Sequence, residues 1–72
     1  MPCVSPDGKP TTSGLKTLNA VKDGAKTPKE ISEATGQAMY RVRSGLRELV
    51  KAEFLTEMSG DYDLTDKAKE VL

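Results

Sequence analysis

The chain has 72 residues, 36% of them hydrophobic, and its 11 basic residues balance 11 acidic ones to a formal net charge of zero. A chain this short makes one domain and buries only about 60% of its unfolded surface, which leaves room for a small core but not for a cleft walled by two subdomains. With no His and a single Cys, the common acid–base, nucleophilic, metal-ligand and disulfide sets are missing, so the expectation is a non-enzyme with no cofactor, metal or small-molecule ligand.

Residues 1–12 contain Pro2, Pro6 and Pro10, and Pro6-Asp7-Gly8 is a strong turn signal. This stretch reads as a flexible or loosely docked N-terminal segment, the alternative being that Cys3 to Ser5 docks in extended form. It has neither the basic flank nor the apolar run of a signal peptide, so the expectation is a mature chain that begins at or near Met1. No stretch approaches the ~20 apolar residues of a membrane span. With one unpaired Cys, the setting expected is reducing and cytoplasmic. Cys3 itself reads as an ordinary thiol, with no basic neighbour in sequence to activate it.

Residues 13–72 carry the folded domain. Thr12 or Ser13 can cap a first helix beginning near Leu15, with Leu18, Ala20 and Val21 completing an apolar stripe and Gly24 ending it. In Thr27-Pro28-Lys29-Glu30, Thr is at the cap, Pro at the first helical position and Glu at the third, which is a full capping box. The helix it opens is short, with Ile31 and Ala34 facing inward and Gly36 as its stop. Ala25 to Thr27, just before the cap, can pair as a very short strand.

A long amphipathic helix from about Ala38 to Ala52 follows. Met39, Val42, Leu46, Leu49 and Val50 fall on one side, while Gln37, Tyr40, Arg41, Ser44, Glu48 and Lys51 lie opposite, with Arg47 beside them and Arg43 nearer the boundary. The period then changes. Phe54 to Met58 and Asp61 to Leu64 flank Ser59-Gly60, which reads as a β-hairpin, and Tyr62 and Leu64 alternate with two Asp as a strand with one buried face would. Thr65 caps a last helix whose inner side is Ala68, Val71 and Leu72. Met39 and Met58 read as core filler and Tyr62 as packed in the hairpin.

Charge is polarised along this order. Arg41, Arg43, Arg47 and Lys51 outnumber Glu48 and Glu53 in the long helix and its exit. Beyond it, Glu57, Asp61, Asp63, Asp66 and Glu70 outnumber Lys67 and Lys69. The basic helical face is open to two readings: a solvated surface with intrahelical pairs to Glu48, or a nucleic-acid contact.

Two helices joined by a short Gly-containing turn make a helix-turn-helix unit, and a hairpin directly after the second is a wing. On Thr27 to Gly36, on Val42, Leu46 and Leu49, on Phe54-Leu55 and on Tyr62 to Lys67, residues 13–72 resemble the winged helix-turn-helix superfamily, most of all the small MarR-type and ArsR-type transcriptional regulators. The resemblance implies a mainly α fold with a small β-hairpin: a three-helix core, a two-stranded wing and a C-terminal helix. It implies a DNA-binding domain of a small transcriptional regulator, with the third helix in the major groove of double-stranded DNA. The positions carried over are Lys29, Gln37, Ala38, Tyr40, Arg41, Arg43, Ser44 and Arg47. Arg41 and Arg43 suit guanine or phosphate, Gln37 adenine, and Tyr40 or Ser44 the backbone, with Lys29 aided by free helix N–H groups.

Three departures from the family stand out. The wing is acidic and would be repelled by DNA. Glu53 stands where the family commonly has Gly, so a left-handed residue there costs more and a different helix end is expected. Long dimerisation helices are absent, which leaves a homodimer or a partner protein open. The alternative function is a winged-helix protein–protein interaction module without intrinsic DNA binding.

Overall fold

A computed structural model describes residues 3–72, so Met1 and Pro2, the start of the N-terminal segment, lie outside the described residues. The order is α1 Thr12–Lys22, α2 Pro28–Thr35, α3 Met39–Lys51, β1 Leu55–Met58, β2 Asp61–Leu64 and α4 Asp66–Glu70. This is a mainly helical, winged-helix-like fold with one antiparallel hairpin.

The core is where the three long helices meet the base of the hairpin. Leu18 and Val21 of α1, Ile31 of α2, Val42, Leu46 and Leu49 of α3, and Phe54 and Leu55 are all buried, as is Ala68 of α4. Cys3 joins them: Val4 and Pro10 form an isolated bridge, the Thr11 N–H donates to the Cys3 carbonyl at 2.9 Å, and the thiol lies against α3. It fits because α1 and α3 present glycines there; a Cβ at Gly14 would overlap the Cys3 carbonyl, and one at Gly45 its sulfur. Burial pushes the Cys3 thiol pKa up, with the Glu48 charge adding to the effect.

α1 begins a turn earlier than its sequence suggests. Thr11, held extended, is the cap, and its hydroxyl accepts the Gly14 N–H at 3.2 Å. α2 carries the full capping box: the Thr27 hydroxyl accepts the Glu30 N–H, and Glu30 Oε1 accepts the N–H groups of Thr27 at 3.2 Å and Lys26 at 2.9 Å. These two backbone donors hold the Glu30 carboxyl below its ordinary pKa. Gly36 ends α2 at φ +73°, a left-handed conformation that a side chain would resist, and its N–H returns to the Ser32 carbonyl.

Five expectations fail here for local reasons. Residues 25–27 form no strand; the N–H groups of Lys26 and Thr27 are taken by Glu30 and Pro28 has none, so the pairing shrinks to one bond from the Tyr62 N–H to the Lys26 carbonyl, 2.8 Å. Ala34 is exposed, on the rim of a depression walled by the charged Lys16 of α1 and Asp23 just after it. Met58 is 79% exposed because the register pairs it with Asp61 on the outward face of the hairpin. Val71 and Leu72 are exposed because α4 is only five residues long and spends its inward position on Ala68. Finally, Glu53 adopts the left-handed conformation at φ +67°, so α3 ends as it would with glycine.

The junction after α3 is tightly tied. The Phe54 N–H donates to the Leu49 carbonyl, the Thr65 hydroxyl to the Glu53 carbonyl at 2.6 Å, and Lys67 Nζ to the Ala52 carbonyl at 2.8 Å. The same ammonium sits 4.7 Å from the centre of the Phe54 ring, so α4 locks the α3 C-terminus through polar bonds and one cation–π contact. In the hairpin, Leu55 faces Leu64, Thr56 Asp63, Glu57 Tyr62 and Met58 Asp61. Ser59 and Gly60, both at positive φ (52° and 88°), make the two-residue turn that matches the twist of the strands.

Candidate nucleic-acid interface

The side of α3 away from the core is set by its buried residues. Val42, Gly45, Leu46 and Leu49 face inward, so Tyr40, Arg43, Ser44, Arg47 and Lys51, recurring at three- and four-residue spacings, share the outer side. All five are exposed, and Tyr40 is 72% exposed although it is aromatic. Arg41 is exposed too, about a quarter turn from Tyr40 around the helix. Ala38, the residue before the helix, is exposed and extended, and provides no side-chain cap.

The α3 cations form no intramolecular ion pair among the described residues. Among the described residues the ion pair present is Lys26 with Asp63, 2.7 Å, and none involves Arg41, Arg43, Arg47 or Lys51. The intrahelical pairing to Glu48 that would make this face an ordinary solvated surface is not formed. The fold therefore leaves a row of unpaired cations and hydroxyls exposed along one side of α3.

The other predicted positions differ. Gln37 is half-buried in the turn, where the Ser32 hydroxyl donates to its carbonyl at 2.6 Å. Lys29 is exposed at the start of α2, but the free helix N–H groups expected beside it are mostly spent. Pro28 has none, the Glu30 N–H goes to the Thr27 hydroxyl and the Ile31 N–H to the Thr27 carbonyl. The Glu30 carboxylate also occupies the entry to α2, so the site offers an anion little beyond the Lys29 ammonium.

Arg43 and Arg47 line a groove of about 350 Å³ with Pro28, Val50, Glu57 and Tyr62. Sequence inspection assigned none of the last four to the site. The hairpin alternation carried the signal for two of them, since Glu57 and Tyr62 are cross-strand partners on the face turned toward the helices. Among the described residues no three His, Cys, Asp or Glu side chains converge as a metal site requires, and no helix is long and apolar enough to cross a membrane.

No protein-family model matches the chain, and no curated protein does so either. Among solved structures the chain is similar to an O-methyltransferase from neocarzinostatin biosynthesis, crystallised with S-adenosyl-L-homocysteine. The TM-score is 0.72 with 28% identity, over 79% of this chain and 19% of that one. The chain thus corresponds to about a fifth of that enzyme's length.

Proposed function

We propose that this domain binds double-stranded DNA as the reading module of a small transcriptional regulator, with the N-terminal half of α3 entering the major groove. The observation that carries the proposal is the row Tyr40, Arg43, Ser44 and Arg47, fully presented and without intramolecular ion pairs, directly after a tight helix-turn-helix connection. In such a pose Arg43 and Arg47 donate bidentately to guanine edges or to phosphates, and Tyr40 and Ser44 donate to the backbone. Arg41 reaches a phosphate on the flank, Gln37 and Ala38 abut the groove wall, and Lys29 contacts the neighbouring strand. One module of this size buries about 600–1,000 Å² on DNA, so a second copy or a partner protein supplies the rest of the specificity.

Amide-shift titration with a mixed-sequence duplex at two salt concentrations tests the proposal. Shifts concentrated on residues 37–47 and fading with salt are expected. Arg43→Ala with Arg47→Ala should weaken binding roughly tenfold to a hundredfold and flatten its salt dependence by about two phosphate contacts. No shift at low salt overturns the proposal.

A second reading is an interaction module inside a larger assembly, favoured by the similarity to part of a methyltransferase and by the acidic wing. It predicts a partner footprint on the wing that leaves α3 accessible and does not respond to DNA.

A further inference from the structure

We propose that Glu57 limits how tightly the domain holds DNA, by placing a fixed negative charge in the groove through which a phosphate approaches Arg43 and Arg47. This rests on the DNA-binding reading of α3 and names the residue that tunes it. In the sequence the wing acids Glu57, Asp61 and Asp63 look equivalent, three like charges within seven residues. The strand register separates them.

Because side chains alternate along a strand, Leu55 and Glu57 share a face with their partners Leu64 and Tyr62, while Thr56 and Met58 share the other with Asp63 and Asp61. The first face holds the buried Leu55 and the half-buried Tyr62 and Leu64, so it is the one turned to the helices. Glu57 accordingly lines the groove with Arg43 and Arg47, and Asp61 does not. Asp63 lines a separate depression beside α1 and is ion-paired with Lys26. One wing carboxylate of the three is therefore set against the basic helix.

Its position is held as well. Glu57 Oε2 accepts the N–H of Gly60 in the hairpin turn at 3.2 Å, a bond that orients the carboxylate without neutralising it. A phosphate settling between the two guanidiniums meets this charge across walls formed by Pro28, Val50 and Tyr62, and low-dielectric walls lengthen the reach of such a charge. The penalty falls on the backbone contacts common to every DNA sequence. A larger share of the binding energy then comes from base contacts, which is specificity gained by weakening the wrong complexes.

The test compares Glu57→Gln with Asp61→Asn, which removes the same charge from the opposite wing face, by fluorescence anisotropy on a short mixed-sequence duplex at two salt concentrations. The Gln amide oxygen can still accept from Gly60, so the turn is kept, and matching thermal melts confirm it. Glu57→Gln should tighten binding roughly twofold to fivefold at low salt and steepen the salt slope by up to about one phosphate contact, with Asp61→Asn near the wild type. If the wild type binds and the two variants are indistinguishable, the role of Glu57 is overturned while the DNA reading stands. If wild type and both variants all fail to bind, the DNA reading falls and this inference with it.

Discussion

α3 and the hairpin are both exposed and charged, but they hold their charges differently. The α3 cations project from a helix whose opposite side is anchored by Val42, Leu46 and Leu49, and none of them is ion-paired. The wing carries acids on two faces; Asp63 is ion-paired with Lys26, whereas Glu57 accepts the Gly60 N–H and keeps its charge. The helix keeps its cations unpaired over an anchored side. The basic face and the acidic wing are thus two kinds of surface, and net charge alone hides the difference.

The sharpest way to break the comparison is to remove the base under α3. Leu46→Ala should cost about 2–5 kcal/mol, because the side chain is fully buried where the core elements meet. A domain of this size has little stability in reserve, so denaturant unfolding should show a large loss or outright unfolding. The Arg43→Ala and Arg47→Ala variants, on the opposite side of the same helix, should melt close to the wild type.

A smaller effect lies at the junction of the two regions. Glu53 sits at φ +67° with no glycine freedom, so Glu53→Gly should stabilise the domain by roughly 1 kcal/mol, read as a raised unfolding midpoint. An unchanged or lowered midpoint would show that the polar ties around the junction already absorb the strain.

The smallest effect concerns how α2 reaches the wing. Glu30 binds the N–H of Lys26, whose carbonyl takes the Tyr62 N–H. Its carboxyl is held below the ordinary value by those backbone donors. The contribution is therefore complete above the unfolded glutamate pKa of about 4.3 and is lost as pH falls through the lower folded value. The Lys26, Thr27 and Tyr62 amide shifts should titrate together in acid and cease to do so in Glu30→Gln. Independent movement would separate the capping box from the wing contact.

Much of this was legible in the chain itself. The capping box at Thr27 to Glu30, the stop at Gly36, the apolar arc of α3 and the Ser59-Gly60 hairpin turn are local signals. Each depends on residues within a few positions of one another, so neighbours in sequence suffice to specify them. The basic residues of α3 were legible for the same reason, because helical periodicity alone sorts one face from the other.

What tertiary structure decided is everything that needs two distant segments to meet. The burial of Cys3 depends on glycines at positions 14 and 45, which only the crossing of α1 and α3 brings to it. The exposure of Met58, Val71 and Leu72 follows from the pairing register and from a last helix too short to turn them inward. Glu53 takes its left-handed conformation where Thr65 and Lys67 bind the α3 exit. The separation of Glu57 from Asp61 and Asp63 has the same origin. Composition counts the three as equal, whereas the pleat of the strands and the packing of one face on the helices give them different neighbours.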